Sequence, residues 1–275
     1  IHSPLALKAI RALAPHDPRI PPHFRPSASF VLDLARQLYA EHPERVVWAS
    51  VFVPCELLWG LGLTPFYPEV AAAAGAGLGL TPHAIAQASE SGVPVDLCTY
   101  HRAAFGLDRD GFYPPAAAFV STSHLCTLAG IMLAADAHRR GKPFRLIDVP
   151  PVFDSDSLDY VEAQLETLAA ELCEATGARY DHDRMRESIR LCNQARAFAL
   201  EFNDLRIARP SPLRGGPMLG VFGLGLWILG RPEGVSHFRA WRDYAAERVR
   251  RRDPEQPSQK TRLFWLHLRP FAESR

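Results

Sequence analysis

Neither sign of charge prevails in this sequence. Its 31 Lys and Arg residues face 30 Asp and Glu, so no field exists that would gather a phosphate backbone or an anionic lipid surface, and nucleic acid is not expected as a partner. Long hydrophobic runs are missing too. The longest, residues 218–229, is broken by Gly220, Gly223 and Gly225 and falls well short of the ~20 residues that cross a bilayer. It reads as a buried helix, and no membrane association is expected. Residues 1–29 lack the basic stretch and apolar core of a secretion signal, which makes the cytoplasm the expected location. The chain opens on Ile1 in place of methionine, which suggests part of a longer sequence. Cysteine is scarce and odd in number, at positions 55, 98, 126, 173 and 192. Such irregular spacing argues against a disulfide framework and leaves reduced thiols or metal ligands. The close CxxC pair of a zinc ribbon or ferredoxin is absent. The glycines at 75, 77 and 79 do not follow the GxGxxG order and come after an alanine run, so no nucleotide site is expected.

What is present is an alternation of short β-branched segments with helical ones. Residues 46–53 are β-branched and aromatic up to Pro54, and 64–67, 117–121 and 144–149 are further strands, the last ended by Pro150 and Pro151. Helices are expected over 30–39, where Val31, Leu34, Ala35 and Leu38 share a face and Ser27 or Ser29 can cap, and over 56–59, 70–76 and 82–89. Another covers 125–138 and closes at Gly141. Two long helices follow. The first carries Leu158, Val161, Leu165, Leu168 and Leu172, with Asp154 to cap it and Gly177 to close it, and the second carries Met185, Ile189, Cys192, Ala199 and Phe202. Residues 235–249 form a last helix whose basic end, Arg250 to Arg252, suits the helix dipole.

The β-α-β-α-β order implies parallel strands with crossover helices. The expected fold is therefore α/β, a Rossmann-like parallel sheet with flanking helices and a long helical hairpin on the sheet. Residues 253–260 contain Pro254, Gln256, Pro257 and Ser258 and read as a polar linker, and 263–268 read as a new strand. The expected organisation is an N-terminal α/β domain over 1–252 with a helical insert, the linker, and the start of a second, truncated α/β domain over 261–275.

Two cysteines stand where such sheets bind ligands. Cys98 precedes a helix whose first-turn amides favour negative charge, and Cys126 follows the carboxyl end of a parallel strand. They lie 28 residues apart, a spacing that says little about metal, so a buried structural cysteine remains the commoner account of each. Cys173 and Cys192 sit inside the long helices and read as core, and Cys55 as a small residue packed against the sheet. A nucleophile pair of Cys98 and His101, three residues apart on one helix, is a further alternative, with no third orienting group in view.

Taken in order, several segments resemble the 2-hydroxyacyl-CoA dehydratase and benzoyl-CoA reductase family of iron-sulfur subunits. They are Phe52-Val-Pro-Cys-Glu-Leu-Leu with Gly62-Leu-Thr-Pro65, Leu97-Cys-Thr-Tyr-His-Arg with Gly106, Phe119-Val-Ser-Thr-Ser-His-Leu-Cys126, Gly141-Lys-Pro-Phe-Arg-Leu-Ile-Asp-Val-Pro150, Ala175-Thr-Gly177, the Asn193 helix, and Pro212 with Leu213. The resemblance implies a two-domain subunit in which three cysteines hold a 4Fe-4S cluster. Cys98 and Cys126 match two of them, the third being absent from this chain. Ser50, Glu56, His101 and His124 are candidates for the surroundings of the cluster, each with a cap or solvent-facing role as the plainer alternative.

The activity implied is that of a lyase, loss of water from a 2-hydroxyacyl-CoA by way of a ketyl-type radical. The partners implied are a homologous second subunit, an ATP-dependent activator protein and the acyl-CoA substrate. Reductive dearomatisation of an aryl-CoA on the same scaffold, and a non-catalytic degenerate paralogue without a cluster, stand as alternatives. A thiol hydrolase stands further off.

Overall fold

Four short strands, β1 (Val46–Ala49), β2 (Thr64–Phe66), β3 (Ala118–Thr122) and β4 (Phe144–Ile147), form one sheet in the order β2-β1-β3-β4. Every pairing is parallel, with Val46 opposite Thr64, Trp48 opposite Phe119 and Val120 opposite Arg145. The computed structural model describes residues 21–215, 218–255 and 261–262, the side chains of 218–220 excepted. The helices are α1 (Arg25–Arg36), α2 (Cys55–Gly60), α3 (Pro68–Gly77), α4 (Thr81–Glu90), α5 (Thr99–Arg109), α6 (Thr127–Arg140), α7 (Ser155–Thr176), α8 (His182–Leu205), α9 (Met218–Ile228) and α10 (Pro232–Arg251). The α/β architecture with a parallel sheet is the one expected.

The chain divides into two compact units. One holds the sheet and α3 to α7, from residues 41–54 and 61–182; the other gathers α1, α2 and the described residues from 183 onward. The two long helices thus sort apart, α7 with the sheet and α8 with the other helices. The expected linker residues 256–260 and the expected strand over 263–268 lie outside the described residues.

The sheet unit is held by its two central strands. All four residues of β1 and all five of β3 are buried, as strands covered on both faces must be. Trp48 packs against Phe66, Tyr113 and Phe119, donates its indole N–H to the Pro114 carbonyl at 3.2 Å, and carries the Arg140 guanidinium 4.7 Å above its ring. Burying each such ring stabilises by roughly 2–3 kcal/mol. Asp108, near the end of α5, pairs with Arg139 at 2.5 Å and with Arg140, both in the last turn of α6. These pairs tie together the C-terminal ends of α5 and α6.

On the outer side of β4, Arg145 pairs with Glu171 of α7. Asp154 caps α7 by accepting the Ser157 N–H at 2.9 Å, and Gly177 closes it at φ 68°.

The helical unit buries the stripe of α8, with Leu191, Ala195 and Phe202, against Val221 of α9 and Val235, Phe238 and Trp241 of α10. The expected Ser27 cap is not used. Helix α1 begins at Arg25 with Pro26 in its first turn, and the Ser27 hydroxyl instead lies 2.5 Å from His237 Nδ1, while Nε2 of that ring donates to the Val221 carbonyl at 3.1 Å. A buried imidazole needs both its nitrogens satisfied, and this outweighs a cap.

Candidate functional site

After β1 the chain crosses to one side of the sheet, and after β3 to the other. In the order β2-β1-β3-β4 this leaves a crevice at the carboxyl ends of β1 and β3, the topological switch point at which open α/β sheets bind ligands. The expected strand over 46–53 stops at Ala49, because residues 50–53 turn across this edge. The Ser50 N–H donates to the Val120 carbonyl at 3.1 Å, and the Val53 N–H donates back to Ser50 at 3.0 Å. Ser50 is buried, and its hydroxyl lies 3.4 Å from the Thr122 N–H that points to it. It splices the two strands at their ends. Beside it the exposed Phe52 and His124 rings meet edge to face, 5.6 Å between centroids.

Cys126 comes at the end of a turn with an unusual backbone. Ser123 anchors the turn by donating to Asp148 and accepting from the Val149 N–H, each at 2.8 Å. Leu125 then takes φ 61°, and the Cys126 N–H donates to the His124 carbonyl two residues back at 2.8 Å. A bond over two residues with a positive φ between them is the rare, strained γ-turn. The expected helix over 125–138 therefore starts only at Thr127, with Cys126 as its N-cap, and it closes at Gly141 in the left-handed conformation, as its sequence requires.

Cys98 is the exposed N-cap of α5. Its carbonyl accepts the N–H groups of His101 and Arg102, both at 3.1 Å. Arg102 ties down the approach to it, donating to the Val95 carbonyl at 3.0 Å and to the Ser89 hydroxyl at 2.6 Å. The His101 ring is buried, and burial lowers its pKa and favours the neutral form. The ring does not complete the Cys98–His101 pair weighed from sequence: its Nε2 lies 3.5 Å from the Cys126 sulfur. Two cysteines from separate segments thus border one histidine, Cys98 a helical turn before it and Cys126 in contact with it.

The remaining candidates fall elsewhere. Glu56 belongs to the helical unit, where its carbonyl accepts from the Ser188 hydroxyl at 2.7 Å. Its carboxylate adjoins Cys192, whose thiol is pushed up to about 12, first by burial and then by Glu56. Cys55 donates its thiol to the Leu229 carbonyl at 3.1 Å, and Cys173 is half-buried in α7. Among the described residues no three His, Cys, Asp or Glu side chains are grouped to hold a metal ion.

Sequence reasoning missed Glu69, in the first turn of α3 directly after β2 and so also at the carboxyl edge. The residue is half-buried, but its Oε2 is sealed and has no hydrogen-bond partner, and burial pushes its pKa up to about 7. The signal that points to it is a carboxylate one residue beyond Pro68 at a strand end. Thr122, whose Oγ1 is likewise buried without a partner, carried no such signal.

These features define a class, an α/β protein with a parallel sheet whose switch point falls between β1 and β3, where the buried Ser50 hydroxyl joins the strand ends and, after β3, the Cys126 sulfur meets the buried His101 ring. Within that class, the chain belongs to the family of the 2-hydroxyglutaryl-CoA dehydratase D-component, whose family model matches residues 50–275. It is similar to the (R)-phenyllactyl-CoA dehydratase alpha subunit of Clostridium sporogenes, with 24% identity over 219 residues, which cover 76% of this chain and 54% of that subunit. The chain thus spans about half the length of the curated relative it matches. Among the described residues no helix is long and apolar enough to cross a membrane.

Proposed function

We propose that this chain is the iron-sulfur part of a dehydratase subunit, in which Cys98 and Cys126 supply two thiolates to a 4Fe-4S cluster and the crevice between β1 and β3 receives a 2-hydroxyacyl-CoA that loses water. The observation that carries the reading is the His101 ring, three residues after Cys98 and 3.5 Å from the Cys126 sulfur. The donor chemistry fits. Both sulfurs are free thiols at helix N-termini, soft donors of the kind iron-sulfur clusters take, in places where unpaired amides favour negative charge. With no group of three ligands among the described residues, a further ligand is to come from elsewhere.

When bound, such a cluster supplies one-electron chemistry and an iron able to take a substrate oxygen. The chain's own residues do the rest. Phe52 and Leu125, both exposed at the crevice mouth, exclude water from a bound thioester. Glu69, with a pKa near neutrality, is suited to hold a proton at the carboxyl edge and release it. A homologous second subunit and an ATP-dependent activator are the proposed partners. The relative is named a dehydratase, which favours loss of water over ring reduction.

The test is anaerobic reconstitution of the chain together with its partner subunit, followed by iron and sulfide analysis. Stoichiometric iron in the native protein, lost in Cys98→Ser and in Cys126→Ser, is the expected outcome. Iron that persists in both variants, or is absent from the native complex, overturns the assignment.

A further inference from the structure

We infer that His101 is a positioning residue for Cys126, donating its Nε2–H to the Cys126 sulfur and holding that sulfur at the crevice. The inference rests on the reading of Cys126 as an iron ligand and adds to it what sets the ligand's place and its electron density.

The ring is held from several directions. His101 is 6% exposed, its backbone N–H is bonded to the Cys98 carbonyl, and the helix that carries it cannot slide. Gly106, five residues on, lies so close to α4 that a Cβ there would stand 2.0 Å from the Ala84 carbonyl oxygen, and Asp108 locks the end of α5 to Arg139 and Arg140 of α6.

The sulfur is held from the other side by the γ-turn. A leucine at φ 61° is strained, and Leu125 recovers none of that cost by burial, being 77% exposed. The conformation serves what comes next in the chain, the placing of Cys126. Between the two stands a contact of 3.5 Å, within hydrogen-bond range for sulfur.

The chemistry follows from the direction of donation. An N–H directed at a thiolate withdraws electron density from the sulfur, so an iron-sulfur centre held by it accepts an electron more easily. Loss of the donor lowers the reduction potential, and a side chain that restores an N–H at similar reach restores it.

Two measurements separate this inference from the reading beneath it. In the iron-free full chain, a long-range 1H–15N correlation spectrum reports the tautomer of each histidine, and His101→Gln identifies which signal belongs to His101. The expected result is a His101 ring protonated on Nε2 whose Nε2 signal moves in Cys126→Ala much further than in Cys98→Ala. A ring protonated on Nδ1 alone, or an Nε2 signal indifferent to Cys126, overturns the inference without any reference to iron. In the reconstituted complex, the midpoint potential is expected to fall in His101→Ala and to recover in His101→Gln. Equal potentials in all three proteins likewise overturn it. Native protein that takes up no iron but shows the Cys126-dependent ring signal refutes the iron reading and leaves the positioning role standing.

Discussion

Leu125 has a conformation that its chemistry disfavours. A β-carbon at φ 61° crowds the following carbonyl, at a cost of about 1–2 kcal/mol, while glycine there pays only about 0.5–1 kcal/mol of extra entropy in the unfolded chain. Leu125→Gly is therefore expected to stabilise the sheet unit by up to about 1 kcal/mol in urea unfolding, and at the same time to loosen the Cys126 sulfur, so that iron is lost faster from the reconstituted protein. A variant less stable than the native chain would show that the turn carries no strain. Nothing in Ser-Thr-Ser-His-Leu-Cys announces this turn, because no residue there prefers positive φ. Cys98 and Cys126 stood out as residue types at strand and helix ends. That the His101 ring meets the second sulfur and not the first depends on how two helices separated in sequence are packed.

At the scale of elements, the packing of α4 on α5 decides where His101 stands. Gly106 was singled out as part of the Cys98 segment, but its physical task became visible only in the structure, where backbone atoms of Ala84 occupy the place of a β-carbon. Backbone cannot yield as a side-chain tip does. Gly106→Ala is expected to cost roughly 1–3 kcal/mol and to push α5 outward, and the expected second reading is a loss of the Cys126-dependent shift of the His101 ring. Full native stability in this variant would mean that α4 and α5 can part freely.

The elements themselves were largely legible, since strand segments of four or five buried residues and helical stripes at three and four follow from side-chain period alone. Their ends were less so. β1 stops early because Ser50 is tied to β3, its N–H donating to the Val120 carbonyl and its hydroxyl facing the Thr122 N–H, and α1 starts early because Ser27 is engaged by His237. Both are tertiary effects that no local pattern carries.

At the scale of the whole molecule, one buried ring contributes to acid stability. His237 is 1% exposed, and burial above all lowers its pKa from 6.5 to about 4. The unfolded chain then binds a proton between those values that the folded chain refuses, so this contribution is complete above pH 6.5 and is lost as pH falls towards 4. Its upper size is about 3 kcal/mol. His237→Leu is expected to be less stable at neutral pH, since the Ser27 hydroxyl loses its partner, and to show a flatter fall of unfolding free energy between pH 6.5 and 4. An unchanged slope would assign the acid sensitivity to other groups.

The sequence by itself determined the parallel α/β scaffold, because β-branched runs, helical stripes and their alternation are local properties of the chain, and it marked two cysteines beside helix starts through their place in ordered segments. The tertiary structure alone decided the strand order and hence the switch point, the division into two units, the contact of His101 with Cys126, and the unpartnered carboxyl oxygen of Glu69. Each of these arises from residues distant in the chain competing for the same volume and the same hydrogen-bonding groups, a competition settled only when the whole packs.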